Sequence, residues 1–284
     1  MRELTDRDVL AVPLPRLVDE VARCLADLAA GAATQAPKAM LPIGPGAFFL
    51  SISAVVPRLG LGIAKWASYV PGVAGAPGTS TSTVLVSDAA TGEPRALVGG
   101  MAFTQRRTAA TAVAVARAAS TDGPRTVALI GCGGTNRAVL AAVLALAPGA
   151  DVRVLVRTAA SADALRADLA PMAGAGRLLV GTDPAVVAGA DWAFSATGAT
   201  GPVADLELLA PDAVAVALDG ARTWSRPAGT EVLDDHVQPG AGAPAVPRLV
   251  AGQLDRPAGR LLLDVAGSAV TDVALAACLP GVAR

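Results

Sequence analysis

A glycine-rich bend follows an apolar run in the stretch VALIGCGGTNR, residues 127–137. In nucleotide-binding strand–loop–helix units, one glycine makes the turn, a second lets the backbone approach the pyrophosphate, and the helix N-terminus presents N–H groups to the anion. Gly131 and Gly133 fill the first two positions, whereas Asn136 stands where a third glycine is common, which leaves close strand-to-helix packing open. The pattern predicts a dinucleotide phosphate site, and a tight turn without a ligand is the alternative.

The end of the following predicted strand, in VRVLVRTAAS, bears on which nicotinamide nucleotide binds. An acidic residue at that position binds the ribose hydroxyls, whereas an arginine can accept a 2′-phosphate. Arg157 stands there, followed by Thr158 and Ser161. We therefore predict NADP(H) in preference to NAD(H), with a solvated surface role for Arg157 as the alternative.

Two adjacent arginines, Arg106 and Arg107, stand in the first turn of a predicted helix that Thr104 would cap. The amino end of a helix is positive and disfavours cations, so an anion should compensate them. That anion is either a neighbouring Asp or Glu, or a substrate carboxylate held bidentately by a guanidinium. The sequence leaves both possibilities open.

Lys65 lies in the apolar segment GIAKWASYVPG. A lysine is rarely buried unless it is paired or functional, and burial lowers its pKa toward the range useful for acid–base chemistry. The alternative is an edge lysine with a solvated ammonium. Lys38, in APKAMLP, is open to the same two interpretations.

Two kinds of chain organisation must position these residues. Before residue 120, an amphipathic helix over 14–31 precedes β-rich segments and a long helix over 104–120. After the linker TDGPR, strands and helices alternate, which is typical of a parallel sheet. The strands are predicted at 126–130, 152–156, 177–180, 191–196 and 213–218, and the helices at 135–147, 161–170, 184–189 and 268–279. We predict an α/β protein with a Rossmann doubly wound parallel sheet and a separate α+β domain.

Composition narrows the classes of partner and location. A formal net charge of -1 with 17% charged residues argues against nucleic acid and acidic lipid as partners. The three cysteines and the single His236 lack metal-ligand spacing, so we predict no metal. The N-terminal MRELTDRDVL has no apolar signal-peptide core, and prolines and glycines interrupt the apolar stretch 39–57. These features predict a cytoplasmic protein without a membrane span.

Several segments together resemble the ornithine cyclodeaminase/mu-crystallin family, in the family's order over most of residues 38–280. They are GIAKWASYVPG, VLVSDAATGEPRALVGG with FTQRRTAATAVAVA, LIGCGGTN, GADWAFSATGATGP and LLLDVAGSAVTDVALAA. The most specific feature is the RRTAA helix followed by a Rossmann loop. The resemblance implies a homodimer with a substrate-binding and dimerisation domain, residues 1–120 completed by 260–284, and a dinucleotide-binding domain, residues 121–259.

The resemblance also implies roles for individual residues. Lys65 and Arg107 match residues that meet the substrate's reacting centre and carboxylate, and Lys38 is the nearest candidate for a second carboxylate-binding cation. Thr79 lies near a pocket threonine of some members. Asp219 could match an aspartate that handles substrate protons, with a helix cap or turn residue as the alternative. The predicted nucleotide-binding residues are Gly131, Gly133, Gly134, Thr135, Asn136, Arg157, Thr158 and Thr197.

The chemistry implied by the resemblance is hydride transfer at the carbon–nitrogen bond of an amino acid or its imine. The long separation of Asp219 from Glu231 departs from the short Asp-Pro-Gly…Glu context of the cyclodeaminases. The surrounding stretch resembles the siderophore and antibiotic branch that forms 2,3-diaminopropionate from N-(2-amino-2-carboxyethyl)-L-glutamate, although STST at 80–83 replaces that branch's RASA. We predict an NAD(P)-dependent oxidoreductase. The alternatives are a cyclodeaminase-type lyase with bound NAD and a non-catalytic NADPH-binding protein similar to mu-crystallin.

Overall fold

The computed structural model describes residues 1–72, 78–172, 176–238 and 241–282. The chain packs as two compact units, Met1–Arg107 with Val237–Ala243 and Ser268–Arg284, and Thr108–His236 with Pro244–Gly267. The α-helices are α1 (Asp6–Leu10), α2 (Leu14–Ala29), α3 (Met101–Ala118), α4 (Gly134–Leu146), α5 (Ala159–Leu169), α6 (Ala245–Val250) and α7 (Val270–Cys278). Within the described ranges, none of these helices combines the length and apolar character needed to cross a lipid bilayer.

The first unit contains a seven-stranded, mainly antiparallel sheet. Its strands are β1 (Arg2–Leu4), β2 (Thr34–Gln35), β3 (Ala39–Gly44), β4 (Ala47–Val56), β5 (Leu61–Val70), β6 (Thr79–Asp88) and β7 (Pro94–Gly99). Side chains alternate between the two faces of a strand, and Ile52, Lys65 and Val84 form one buried cross-strand row on the inner face. This alternation carries a lysine into the hydrophobic core.

Helices α2 and α7 cover that inner face. On α2 the residues Leu17, Val21, Leu25 and Leu28 are buried at helical spacing, as expected for an amphipathic helix. Helix α7 is buried along all nine of its residues because it packs against α2 and against strands β4 and β5. The unit is therefore an α+β arrangement with a fully enclosed C-terminal helix.

Helix α3 begins earlier than its sequence predicts. Gly100 has a left-handed φ of 105°, which lets the chain turn directly from β7 into a helix at Met101. The predicted cap at Thr104 is therefore wrong, and Arg106 and Arg107 stand in the second turn. The Thr104 hydroxyl donates instead to Ser82 Oγ at 3.1 Å.

The second unit contains a parallel sheet in the order β10-β9-β8-β11-β13-β16-β15, which confirms the predicted Rossmann architecture. The sheet strands are β8 (Thr126–Ile130), β9 (Asp151–Leu155), β10 (Leu178–Gly181), β11 (Trp192–Ser195), β13 (Val214–Ala217), β15 (Val232–Asp234) and β16 (Leu261–Asp264); β12 (Ala204–Asp205) pairs with β14 (Trp224–Ser225). The central strands β11 and β13 are buried throughout, as is typical of parallel sheets covered on both faces.

Two details of the second unit differ from the sequence-based expectations. The helix expected over 184–189 is a single 3-10 turn, Pro184–Val187, since Gly189 with a φ of 73° ends it. Strand β16 pairs with β13 and β15 and so joins the parallel sheet, although it lies beyond the predicted domain boundary at 259.

Candidate functional site

Two buried cations share one carboxylate in the first unit. Lys65 on β5 is 2% exposed, and its Nζ donates to Oδ1 of Asp272 at 2.8 Å. The Nε of Arg107 on α3 lies 3.4 Å from the same oxygen. Asp272 on α7 is fully buried, and its Oδ2 has no hydrogen-bond partner within the described part of the chain. We refer to these three residues as the Lys65–Asp272–Arg107 cluster.

Burial lowers the pKa of Lys65 from 10.5 to about 8. Desolvation is the largest cause, and repulsion by Arg107 lowers the pKa further, whereas Asp272 raises it by attraction and a hydrogen bond. An ammonium with this pKa carries its proton at neutral pH and releases it readily. Lys65 thus has the acidity that suits a general acid.

Lys38 lies between β2 and β3, close enough to Lys65 that its charge also lowers the pKa of Lys65. Three predicted residues, Lys38, Lys65 and Arg107, are therefore neighbours in one unit. Thr79 is not brought to them. The β5–β6 register pairs Lys65 with Val84, so Thr79 stands five residues farther along β6, about 17 Å at 3.4 Å per residue, on the opposite face.

Two residues near the cations, Ser82 and Asp272, were not predicted from the sequence. Ser82 is buried on the same sheet face as Lys65, two positions along β6 from Val84. Because side chains alternate between the faces of a strand, the pairing of Lys65 with Val84 could have identified Ser82 as a residue on the same face. Asp272 is the single acidic residue in the apolar stretch SAVTDVALAAC. Because a buried carboxylate requires a cation or hydrogen-bond donors, its position in this stretch could have marked it as a partner of a buried cation.

A cavity of about 860 Å³ opens in the second unit, where β8, β9 and β11 end. The carboxyl ends of parallel strands are where nucleotides bind in doubly wound sheets. The loop after β8 contributes Gly131 and Gly133, the loop after β9 contributes Arg157, and the loop after β11 contributes Thr197. Four predicted nucleotide-binding residues thus line one cavity.

The two glycines of the loop have different conformational requirements. Gly131 has a φ of 76°, and a Cβ on it would lie 2.9 Å from the Ala196 carbonyl oxygen and 3.0 Å from Thr197 Cγ2. Gly133 has an ordinary φ of -75°, and a Cβ on it would meet nothing within 4 Å. Helix α4 begins at the next residue, Gly134, so free backbone N–H groups stand beside this open space. The arrangement fits a pyrophosphate.

Asn136 lies beneath the loop. Its buried Nδ2 donates to the carbonyl oxygens of Gly131 at 2.7 Å, Ile130 at 3.0 Å and Phe194 at 3.3 Å. These bonds join the start of α4 to the ends of β8 and β11, so close strand-to-helix packing is achieved without a third glycine. The residues predicted to bind nucleotide that do not line the cavity are Gly134, Thr135, Asn136 and Thr158.

At the end of β9, Arg157 is exposed and lines the cavity together with Ser161 and Thr182. Thr158 caps α5, since its Oγ1 accepts from the Ser161 backbone N–H at 3.2 Å. The lining of this part of the cavity thus combines a guanidinium, hydroxyl-bearing residues and the first turn of a helix, which together favour an anion.

The Asp219 carboxylate follows β13 and accepts four hydrogen bonds. Oδ1 accepts from Ser195 Oγ at 2.7 Å and Thr223 Oγ1 at 3.1 Å. Oδ2 accepts from the backbone N–H and the hydroxyl of Thr197, both at 2.7 Å. Asp219 thereby fixes the Thr197 loop at the cavity, and its role in proton transfer stays a prediction.

Replacing Gly131 by alanine is expected to destabilise the protein by about 1–2 kcal/mol or more, the cost of a left-handed φ in an L-residue, and to weaken nucleotide binding. Gly133→Ala is the matched control for folding: its melting temperature should stay near that of the unmodified protein, while its methyl group obstructs the pyrophosphate. Thermal unfolding and NADPH fluorescence titration measure the two effects. A Gly131→Ala variant as stable as Gly133→Ala would contradict the turn assignment.

Comparison with known proteins places the chain in a family. Residues 12–239 match the sequence profile of the ornithine cyclodeaminase/mu-crystallin family. The chain is 37% identical over 151 residues to a Δ1-pyrroline-2-carboxylate reductase from Burkholderia multivorans. That match covers 52% of this chain and spans 47%, about half, of the relative's length.

Solved structures share the fold over nearly the whole chain. A Thermococcus litoralis Δ1-pyrroline-2-carboxylate reductase, solved with NADH and L-proline, has a TM-score of 0.80 at 17% identity and covers 98% of this chain and 96% of its own. An archaeal alanine dehydrogenase dimer with bound NAD has a TM-score of 0.81 at 18% identity, covering 98% of this chain and 94% of its own. The profile match extends over most of the sequence, and the protein therefore belongs to the ornithine cyclodeaminase/mu-crystallin family.

Proposed function

We propose that the protein is an NAD(P)H-dependent reductase of imines of amino acids, with a cyclic imine carboxylate of the Δ1-pyrroline-2-carboxylate type as substrate. The observation that carries the proposal is the pair of buried cations, Lys65 and Arg107, on the single carboxylate of Asp272. A protonated Lys65 gives these three groups a net positive charge, which suits an anionic substrate. The names of the Burkholderia multivorans relative and the Thermococcus litoralis structure support this substrate class.

Each cation has a distinct task in this proposal. NAD(P)H held in the cavity lined by Gly131, Gly133 and Thr197 would supply the hydride for the imine carbon. The guanidinium of Arg107 binds the substrate carboxylate bidentately, and Lys38 adds a second positive charge. The ammonium of Lys65 donates its proton to the imine nitrogen, so that one hydride and one proton convert C=N to CH–NH. Asp219 keeps the Thr197 loop in place through its four hydrogen bonds.

The proposed nucleotide is NADP(H) in preference to NAD(H), because Arg157 and Ser161 line the cavity at the end of β9. Replacing Arg157 by alanine is expected to weaken NADPH binding by about 1.5–3 kcal/mol, the usual contribution of a charged hydrogen bond, and to leave NADH binding unchanged. Arg177→Ala, at a highly exposed arginine near β10, is the control. Fluorescence titrations with both nucleotides measure the difference, and an equal loss for both would contradict the proposal.

A homodimer is also part of the proposal. The sheet face opposite Lys65 carries Val55, Trp66 and Val70, each more than a third exposed, and Phe49 stacks on Trp66 with ring centroids 5.0 Å apart. An exposed apolar face of this kind suits a subunit interface. We assign the unit Met1–Arg107 with Val237–Ala243 and Ser268–Arg284 to substrate binding and dimerisation, and the unit Thr108–His236 with Pro244–Gly267 to nucleotide binding. The cytoplasmic location and the siderophore or antibiotic role stay predictions.

The decisive experiment follows nicotinamide absorbance while the purified protein meets NADPH or NADH with cyclic imine carboxylates. The same assay is run with NADP+ or NAD+ and either ornithine or N-(2-amino-2-carboxyethyl)-L-glutamate. Consumption of NAD(P)H with formation of the cyclic amino acid supports the proposal. Proline and ammonia formed from ornithine without a change in absorbance would instead indicate a cyclodeaminase, and nucleotide binding without any turnover would indicate a non-catalytic protein.

A further inference from the structure

We propose that Asp272 is a positioning residue for this chemistry, holding the Lys65 ammonium and the Arg107 guanidinium side by side for one substrate. The inference rests on the proposed reductase function. Oδ1 of Asp272 lies 2.8 Å from Lys65 Nζ and 3.4 Å from Arg107 Nε. The two cationic nitrogens therefore cannot be farther apart than these two distances together.

The chemistry of the proposed substrate requires such closeness. In a 2-carboxylated cyclic imine, the carbon of the C=N bond carries the carboxylate. The proton donor for nitrogen and the cation for the carboxylate must therefore be neighbours. Two like charges that close repel each other strongly when buried, and the carboxylate of Asp272 offsets this repulsion.

A second observation separates Asp272 from an ordinary structural partner. Its Oδ2 is buried and has no hydrogen-bond partner in the ranges that the structure describes. A buried carboxylate oxygen without a donor is unfavourable, and native structures rarely retain one without a functional reason. Arg107 and Lys38 also act on the pKa of Lys65, and both are cations that lower it. The Asp272 carboxylate thus opposes both of them.

The sequence makes a direct test possible, because lysine occurs only at positions 38 and 65. Protein labelled with ¹³C at the lysine ε-carbons gives two side-chain signals by NMR, and Lys65→Met identifies which is which. In the unmodified protein the Lys65 signal is expected to titrate near pH 8. Asp272 raises the pKa of Lys65, so Asp272→Asn is expected to move this titration to lower pH, while the exposed Lys38 changes little.

The same variant has a second readout in the pH profile of imine reduction. A protonated Lys65 is required as the acid, so kcat/KM is level below its pKa and falls above it. In Asp272→Asn this decline moves to lower pH, together with the NMR titration. Asp272→Glu keeps the negative charge and is expected to restore the titration near pH 8, with kcat lowered by about tenfold because the longer side chain displaces the ammonium.

An unchanged Lys65 titration in Asp272→Asn would overturn the inference. If Asp272→Asn does not fold, Asp272→Glu provides the test. A full kcat in Asp272→Glu, despite the displaced carboxylate, would also overturn the inference. Failure of the proposed function has a different signature, namely unmodified protein that does not turn over any imine. The shift of the Lys65 titration in Asp272→Asn remains measurable in that case and supports the electrostatic coupling by itself.

Discussion

Replacing Lys65 by methionine is expected to lower kcat for imine reduction by about 100- to 10,000-fold, the usual contribution of a general acid. Methionine retains an unbranched side chain suited to the buried site but has no proton to donate. In the unmodified protein, deprotonation of Lys65 is expected to make the activity decline above pH 8. The residual activity of Lys65→Met should not show this decline. Steady-state absorbance of NADPH from pH 6 to pH 10 measures both effects.

The control for this variant is Arg23→Met, which removes an exposed cation from an i,i+3 ion pair on α2. Exposed pairs contribute little to stability, and Arg23→Met should retain the full kcat. NADPH affinity should be the same in both variants. A Lys65→Met protein with a kcat within tenfold of the unmodified protein would show that another group, or water, supplies the proton.

Replacing Arg107 by alanine is expected to lower kcat/KM for the imine carboxylate. The expected loss of transition-state stabilisation is about 2–5 kcal/mol, the cost of removing one partner of a buried charge pair. That loss corresponds to about 30- to 4,000-fold. Most of it should appear in KM, because the carboxylate is bound both before and during hydride transfer. NADPH affinity should be unchanged, since the residues lining the nucleotide cavity belong to the other unit.

Arg106→Ala is the matched control, one position earlier on the same helix. The Arg106 guanidinium donates to the Val12 backbone carbonyl, a contact within the first unit that involves no substrate. Its loss should lower the melting temperature without changing KM. An Arg107→Ala protein that turns over with unchanged KM would show that the carboxylate assignment is wrong.

Local patterns in the sequence determined much of the second unit. Strand β8, the turn at Gly131 and the start of α4 depend on residues within about ten positions, so periodicity and glycine spacing predict them directly. The order of strands and helices then implies a parallel sheet. Strands β15 and β16 were not predicted, because they follow the regular strand–helix alternation and are defined by their pairing with each other and with β13.

Only the tertiary structure decided which residues meet at the cationic site. Lys65 and Asp272 are 207 positions apart, and their contact arises because α7 packs against β4 and β5. Strand register placed Thr79 on the other face and Ser82 on the inner one. A sequence reveals the types of its residues and their local spacing, whereas contacts between distant elements depend on how their apolar faces pack. That packing placed the two cations on one buried carboxylate.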